Sequence, residues 1–276
     1  MAYVPSTLTA PDSPSAGARV GRALVSRAVI APIAAVVVFL ILWELLVQAM
    51  DWPNYIMASP SDLPAAYIRF WDLFLVMGWQ TLWRTVVGLV LAVIVGVLIG
   101  MVMGFSRTMR DALYPLLVGF NAIPKATVVP IVALLFVGQH DFNTILIAFM
   151  ISFFPIAVSV SIGLSTLEPE YRDILRSLGA SQSTIFWKIA LPKTLPEFFG
   201  ALKVAVTLAF IGTNLMEIVS PHGRGLGALF DSGKTNSDYP LMFAVLIALA
   251  FLGIVLYYIV VILEKTFAGW AERAPT

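Results

Sequence analysis

The chain has 276 residues, of which 59% are hydrophobic and only 12% carry a charge. Soluble globular proteins carry roughly twice that share of charged residues. Together with a mean hydropathy of +0.91, this composition indicates an all-α membrane protein whose main surroundings are the lipid bilayer. The chain has no cysteine, which excludes disulfides, thiolate metal sites and cysteine nucleophiles. A net charge of +1 gives no sign of a nucleic-acid partner, and we expect none.

Residues 1–27 differ in composition from everything that follows. They are rich in small polar residues, and arginines at positions 19, 22 and 27 lead into the apolar run Ala28–Met50. A signal peptide has a similar basic start, but its apolar centre is only about 7–15 residues long. We therefore expect a disordered cytoplasmic tail over residues 1–27, followed by an uncleaved first membrane helix. A cleaved signal peptide is the alternative.

Six stretches of the chain are long and apolar enough to cross a bilayer, which takes about 20 residues. They are residues 28–50, 85–104, 112–139, 142–167, 198–220 and 239–263. The third stretch has the weakest support, because Lys125 and prolines at positions 115, 124 and 130 interrupt it. The sequence thus predicts one transmembrane domain over residues 28–270, with six helices and a loop at residues 168–195.

The distribution of lysine and arginine predicts the orientation, since these residues are enriched on the cytoplasmic side of membrane proteins. With the amino terminus inside, the cytoplasmic segments hold twelve of the 17 basic residues. The outer segments hold Arg69, Arg84, Arg224 and Lys234, and Lys125 lies within the third span. The reverse orientation would invert this ratio. We therefore expect a multi-pass protein with both termini in the cytoplasm.

Four glycines follow a helical spacing along the second predicted span. Gly96, Gly100 and Gly104 are four residues apart, and Gly88 lies two turns earlier. Such a strip of small residues lets two membrane helices approach closely and associate through van der Waals contacts. A strip that faces lipid is the alternative, but glycine in an unpacked helix only lowers stability. We expect this face to meet another helix.

The loop between the fourth and fifth predicted spans has the pattern of two short amphipathic helices. The first begins at Glu168-Pro169-Glu170, where proline and acidic residues suit a helix start. Its apolar residues share one face; they are Tyr171, Ile174, Leu175 and Leu178. Gly179 can end this helix, Ser181 can cap the second, and Pro192 limits the second helix. The apolar face can dock into a partner protein or lie on the lipid surface, and amphipathicity alone does not separate the two.

A specific spacing runs through this loop: Asp173-Ile174-Leu175, three residues, Gly179, nine residues, then Ile189-Ala190-Leu191-Pro192. It resembles the EAA loop of binding-protein-dependent ABC importer permeases, with the pattern Glu-Ala-Ala-x3-Gly-x9-Ile-x-Leu-Pro. The first triplet departs from that pattern, whereas the other four positions match. The resemblance implies that the loop couples the membrane helices to an ATPase. The implied coupling residues are Tyr171, Asp173, Ile174, Leu175, Leu178, Gly179, Ala180, Ile189, Leu191 and Pro192.

Other segments resemble the nitrate, sulfonate and taurine branch of this family, and the similarity covers about residues 40–270. These segments are Trp43-Glu44, Ile123-Pro124-Lys125, Val129-Pro130, Phe153-Phe154-Pro155, Gly225-Leu226-Gly227, Leu263-Glu264-Lys265 and Trp270. The resemblance implies a MetI-like permease fold in the inner membrane. It also implies three partners: a cytoplasmic ABC ATPase dimer, an extracytoplasmic substrate-binding protein and a second permease copy, giving a homodimer. The expected cargo is nitrate, a sulfonate such as taurine, or a vitamin precursor.

Ionisable residues inside a membrane are costly and often functional. Lys125 follows Pro124 in the third span, and we consider it a candidate for lining the pathway of an anionic or polar substrate. The alternatives are a structural pair with Glu44 or Glu217, or a broken helix that leaves Lys125 near an interface. Asn214 and Glu217 near the outer end of the fifth helix are further candidates for pathway lining, although interhelical hydrogen bonds explain them equally well. Glu44 is the last candidate, with a satisfied interfacial carboxylate as the alternative.

Two apparent motifs do not support catalysis. Gly233-Lys234-Thr235 ends like a phosphate-binding loop, but Ala228 occupies the place of the first glycine. The alternating glycines at 223, 225 and 227 lack the dinucleotide-binding spacing and are expected to bend the outer loop. Two histidines without clustered acids make neither a metal site nor a catalytic set. We therefore expect a transport subunit with no ATPase site, cofactor or metal of its own. A stand-alone secondary transporter or channel is the alternative function.

Overall fold

The computed structural model describes residues 27–165, 174–220 and 223–270. Every regular element within these ranges is helical, which confirms the all-α expectation. The residues expected to form the amino-terminal tail lie outside the described part, apart from Arg27. The chain divides into two compact units, Met1–Asp62 and Leu63–Thr276.

The first unit contains helix α1, Arg27–Met50, and a 3-10 turn at Pro60–Asp62. The second unit contains all remaining helices of the described chain. In order they are α2 (Leu63–Arg69), α3 (Trp71–Phe105), α4 (Arg107–Ala122), α5 (Lys125–Leu135), α6 (His140–Ser165), α7 (Gln182–Ile185), a π-helical turn (Phe186–Ala190), α8 (Leu191–Val219), α9 (Leu226–Thr235) and α10 (Tyr239–Phe267).

Five helical stretches in the described chain are long and apolar enough to cross a membrane. They are Ile30–Met50, Trp71–Phe105, His140–Ser165, Gln182–Val219 and Tyr239–Phe267. A sixth crossing is formed if α4 and α5 act together as one span. The count agrees with the six spans expected from the sequence, although several helices extend beyond the apolar runs that marked them.

The third expected span, residues 112–139, differs from the structure because it is not one helix. Helices α4 and α5 meet at an angle of 84°. Ile123 and Pro124 between them have extended backbone, with ψ angles of 126° and 110°. Proline has no N–H to donate and disfavours helical geometry in the residue before it. The break therefore follows directly from Pro124, whereas Pro115 and Pro130 lie inside helices.

The glycine strip of α3 packs against α6, which confirms the expected helix contact. A Cβ at Gly96 would lie 2.9 Å from the Cβ of Ile156, and one at Gly100 would lie 2.7 Å from the carbonyl oxygen of Ala157. Gly88 and Gly104 meet α6 in the same way. Only glycine permits this backbone approach. Helices α3 and α6, with α8 packed beside them, thus form the centre of the second unit.

Candidate functional site

The loop between α6 and α8, which we expect on the cytoplasmic side, contains the sharp bend that the sequence placed at Gly179. Residues 174–177 are helical, and Gly179 follows with a φ of +84°. The amide of Ala180 donates to the carbonyl of Leu175 at 3.0 Å, and the amide of Gly179 donates to that of Arg176 at 2.9 Å. This pair of hydrogen bonds is a Schellman motif, in which glycine adopts the left-handed conformation at no steric cost. Two expected coupling residues, Tyr171 and Asp173, lie outside the described residues.

The second half of the loop begins at the expected cap. The hydroxyl of Ser181 accepts a hydrogen bond from the amide of Thr184 at 3.1 Å, which starts α7. Apolar side chains on both sides of the bend project outward: Ile174 is 56% exposed, Leu178 is 78% exposed and Trp187 is 63% exposed. Leu175 and Ala180 are half-buried. Within the described part of the chain, the loop thus offers exposed apolar side chains at its bend.

Pro192 does not end the second short helix, contrary to the sequence expectation. The chain remains helical from Gln182 to Val219, and Pro192 lies in the first turn of α8. The turn before it, Phe186–Ala190, is π-helical, with the amide of Leu191 donating to the carbonyl of Phe186. A proline ring clashes with the carbonyl four residues earlier in a regular α-helix. The wider π turn accommodates that ring, so the loop runs into the membrane helix without a break. Ile189, in the π turn, and Leu191 are half-buried.

A buried cluster of charges joins three helices at the end of the bundle that we expect to face outward. Arg84 of α3 approaches Asp141 of α6, with 2.6 Å between Nη2 and Oδ1, and Glu217 of α8, with 3.2 Å between Nη1 and Oε1. The side chain of Arg84 is 2% exposed and that of Glu217 is 0% exposed, whereas Asp141 is 53% exposed. Removing one partner of a buried ion pair costs about 3–5 kcal/mol. This outer charge cluster therefore fixes α3, α6 and α8 relative to one another.

The carboxylate of Glu217 also caps a fourth helix, α9. Helix α9 follows Gly225 and has no capping side chain of its own. The amide of Gly227 donates to Glu217 Oε2 at 3.0 Å, and the amide of Leu226 donates to the hydroxyl of Thr81 at 2.8 Å. Thr81 in turn donates to Glu217 at 2.8 Å. A carboxylate at a helix amino terminus satisfies free amides and complements the helix dipole.

The outer glycines are required by this cap rather than by a bend alone. Gly225 has a φ of +114°, and a side chain there would overlap the carboxylate of Glu217. A Cβ at Gly227 would lie 2.7 Å from the Cβ of Glu217. The two glycines therefore allow the loop to close over Glu217. With its side chain fully enclosed, Glu217 has the interhelical hydrogen bonds that were the alternative to pathway lining.

Arg84 is the main residue that the sequence reading missed, since charge counting placed it in an outer loop. A signal was present: Thr81, Arg84 and Gly88 have the i, i+3, i+7 spacing of one helix face. That face continues into the glycine strip. An arginine on a face that packs against other helices requires a buried carboxylate partner. Glu217 was the available candidate.

Lys125 caps the broken helix. Its ammonium donates to the carbonyl of Phe120 at 2.6 Å and to the carbonyl of Asn121 at 3.2 Å, at the carboxyl end of α4. It also lies 4.8 Å from the centre of the Phe120 ring. The carbonyls in the last turn of a helix have no partners within the helix, and a cation there complements the dipole. This geometry matches the broken-helix alternative for Lys125 and leaves the pathway role as a proposal.

Glu44 and Asn214 also have local partners. Within the first unit, Glu44 accepts hydrogen bonds from Gln48 at 2.6 Å and from the amide of Ser61 at 3.0 Å, so it ties α1 to the 3-10 turn. In the second unit, the side-chain amide of Asn214 donates to the carbonyl of Phe210 at 2.7 Å. These hydrogen bonds give Glu44 and Asn214 a structural role. Lining of the substrate pathway stays a prediction for both residues.

Comparison with known proteins gives a family match over most of the chain. Residues 92–269 match the family described as "Binding-protein-dependent transport system inner membrane component". This range includes the loop with the bend at Gly179, the helix break and the outer charge cluster, apart from Arg84 and Thr81.

Two relatives are similar over most of their length. The riboflavin transport system permease protein RibX of Chloroflexus aurantiacus is 33% identical over 237 residues, covering 84% of this chain and 86% of the relative. The formylaminopyrimidine transport permease protein ThiX of Halalkalibacterium halodurans is 28% identical, covering 85% of this chain and 93% of the relative.

A solved structure has the same fold. It is an inward-facing conformation of the MetNI methionine ABC transporter, with a TM-score of 0.59 and 18% sequence identity. The similarity covers 72% of this chain and 97% of the solved one. Together with the family match, this confirms the MetI-like fold and the resemblance to ABC importer permeases. The chain belongs to the binding-protein-dependent transport system inner membrane components, the permease subunits of ABC importers.

Proposed function

We propose that this permease couples to a cytoplasmic ABC ATPase dimer through the bend at Gly179, with both chain termini in the cytoplasm. The observation that carries this proposal is the exposed apolar surface at the bend, where Leu178 is 78% exposed and Trp187 is 63% exposed. Burial of such a surface in a groove of a partner protein is favourable. A substrate-binding protein delivers the cargo to the opposite face.

The connection between the bend and the membrane helices supports the proposal. One helical stretch of 38 residues runs from Gln182 to Val219, and it carries Glu217 of the outer charge cluster near its far end. A helix rises 1.5 Å per residue. A displacement of the loop therefore acts on a continuous element that reaches through the bundle. Rigid-body motion of packed helices is an established form of conformational switching.

Substitution of Gly179 tests the coupling role. A Cβ on Gly179 would meet no atom of the described residues within 4 Å. The constraint shown at this position is therefore its positive φ, which asparagine tolerates and β-branched residues do not. We expect Gly179→Val to abolish ATP-dependent uptake by the reconstituted complex, and Gly179→Asn to retain it. Equal uptake by both variants would mean that the bend has no coupling role, and would favour a membrane scaffold.

We also propose that a second copy of this chain covers the broken helix. Non-helical backbone is tolerated at membrane depth only where it is buried in protein or lines a water-filled cavity. Ile123 and Pro124 are both exposed residues, and they directly precede Lys125. Large apolar side chains on the same segment are also exposed, with Leu134 at 76% and Val137 at 78%. A symmetric partner would cover this surface and enclose a pathway for cargo.

The absence of cysteine makes this arrangement easy to test. We expect Leu134→Cys to form a cross-linked dimer in membranes, in the presence of an oxidant. Ile254→Cys on α10 is the control, because Ile254 is also exposed, at 55%. A cross-link at Ile254 and none at Leu134 would place the second copy on a different face.

The relatives support a small polar cargo. Their names give formylaminopyrimidine for ThiX, riboflavin for RibX, nitrate for NrtB and taurine for TauC. We propose that this permease carries a small anion such as nitrate or a sulfonate, or a vitamin precursor similar to formylaminopyrimidine or riboflavin. The binding protein determines which of these compounds is transported. Calorimetric titration of the cognate binding protein with these four compounds tests the proposal, and it fails if none of them binds.

A further inference from the structure

The π turn Phe186–Ala190 joins the exposed coupling loop to the long membrane helix α8. Its defining hydrogen bond runs from the amide of Leu191 to the carbonyl of Phe186, five residues earlier. Single π turns inside α-helices are uncommon and occur frequently at functional sites. They hold one residue more than a regular turn, so they can convert to α-helix only if the attached segment rotates.

An apolar cavity of about 140 Å³ lies directly against this turn. Its walls come from α3, α6, the π turn and α8, and they include Val97, Phe186, Leu191 and Phe198. The pocket is partly open, and Phe186 on its wall is half-buried. An inward movement of Phe186 would therefore add dispersion contacts to its ring. The cavity therefore provides the space into which the turn can close.

The helix beyond the turn packs closely against its neighbour α6. A Cβ at Gly163 of α6 would lie only 2.5 Å from Thr194 Cγ2, which shows how closely α8 packs on α6 at this point. The hydroxyl of Thr194 also donates to the carbonyl of Ala190 at 2.8 Å, at the end of the π turn. On the other side of the turn, Trp187 and residues 181–184 are exposed. The π turn thus lies between an exposed segment of the loop and the closely packed part of α8.

We propose that the π turn and the adjoining cavity form a two-state hinge for coupling. When the ATPase subunits move the loop, the turn converts between π and α geometry, and Phe186 enters or leaves the cavity. Conversion to α geometry shifts the segment before the turn by about one residue, which corresponds to a rise of 1.5 Å and a rotation of about 100°. The inference rests on the proposed coupling function and adds the site where the motion occurs.

The test fills the cavity and follows the distance between the loop and α8. Val97→Phe places a ring in the cavity, and Val102→Phe is the matched control on the same helix, where Val102 is 46% exposed. One chain carries spin labels at both Ser183→Cys and Val204→Cys, which are exposed positions of a chain without cysteine. The doubly labelled chain is assembled with the ATPase and an excess of unlabelled chain. The distance between the two spin labels is measured without nucleotide and with trapped ATP.

We expect trapped ATP to change the label distance by more than about 1.5 Å, one helical rise, in the otherwise unaltered chain and in Val102→Phe. In Val97→Phe we expect no change and a loss of ATP-dependent uptake, with the complex still assembled. An unchanged distance in the unaltered chain overturns the hinge even where uptake is normal. A normal shift in Val97→Phe also overturns it. Absence of ATP-dependent uptake in the unaltered complex would instead contradict the coupling function itself.

Discussion

Replacing Glu217 by alanine tests whether the outer charge cluster holds the bundle together. The carboxylate accepts hydrogen bonds from Thr81, Arg84 and the amide of Gly227, at 2.8, 3.2 and 3.0 Å. Glu217→Ala leaves these donors without that acceptor and opens a void in a closed site. Arg84 keeps Asp141, so its charge is not left without a partner.

The expected loss of stability is large for one substitution. Removing one member of a buried ion pair costs about 3–5 kcal/mol. We expect the lower end of that range, because Asp141 remains beside Arg84. A change of 3 kcal/mol alters the ratio of folded to unfolded protein by about 160-fold, since each 1.36 kcal/mol is a factor of ten.

The Lys203–Glu264 pair provides the matched control. Its atoms are 2.8 Å apart, but the two side chains are 26% and 17% exposed. A partly solvated pair contributes less, and exposed pairs typically give 0.2–1 kcal/mol. We expect Glu217→Ala to shift the SDS unfolding midpoint of the purified chain strongly, and Glu264→Ala to shift it slightly. Equal shifts would refute the reasoning that burial determines the importance of the cluster.

Three further changes follow from the geometry. Gly100→Leu should prevent close packing of α3 on α6 and lower the yield of folded protein in detergent. Gly119→Leu should not, because a Cβ at Gly119 meets no atom of the described residues within 4 Å. Lys125→Met should destabilise the chain by about 1–3 kcal/mol in the same SDS titration, since it removes the donor from two carbonyls. Lys125→Arg should retain most of the original stability. Gly225→Ala should match Glu217→Ala in direction, because it displaces that carboxylate; a neutral effect would contradict the cap.

The parts of the fold that depend on local sequence were predictable. The apolar runs gave the membrane helices, and the spacing of Gly96, Gly100 and Gly104 gave the face on which α3 packs. The bend at Gly179 and the cap at Ser181 also follow from single residues with strong backbone preferences. Each of these features is decided within a few turns of the chain.

The outer charge cluster was not predictable to the same degree, because its members are far apart in the sequence. Arg84 and Glu217 are separated by 133 residues, and neither indicates its partner by spacing. Pro192 was misread for a different reason. A proline inside a regular α-helix kinks or ends it, but the π turn before Pro192 is an irregular element that no periodicity marks.

Uptake by proteoliposomes is the most direct test of the central claim that this permease works by coupling to an ATPase. The purified chain is reconstituted alone, or with its cognate ATPase and binding protein, and uptake of the ligand of that binding protein is followed. We expect uptake only in the complete complex, and only when ATP is present on the side of the membrane that carries the ATPase. Uptake by the chain alone, driven by an ion gradient, would contradict the claim and identify a secondary transporter.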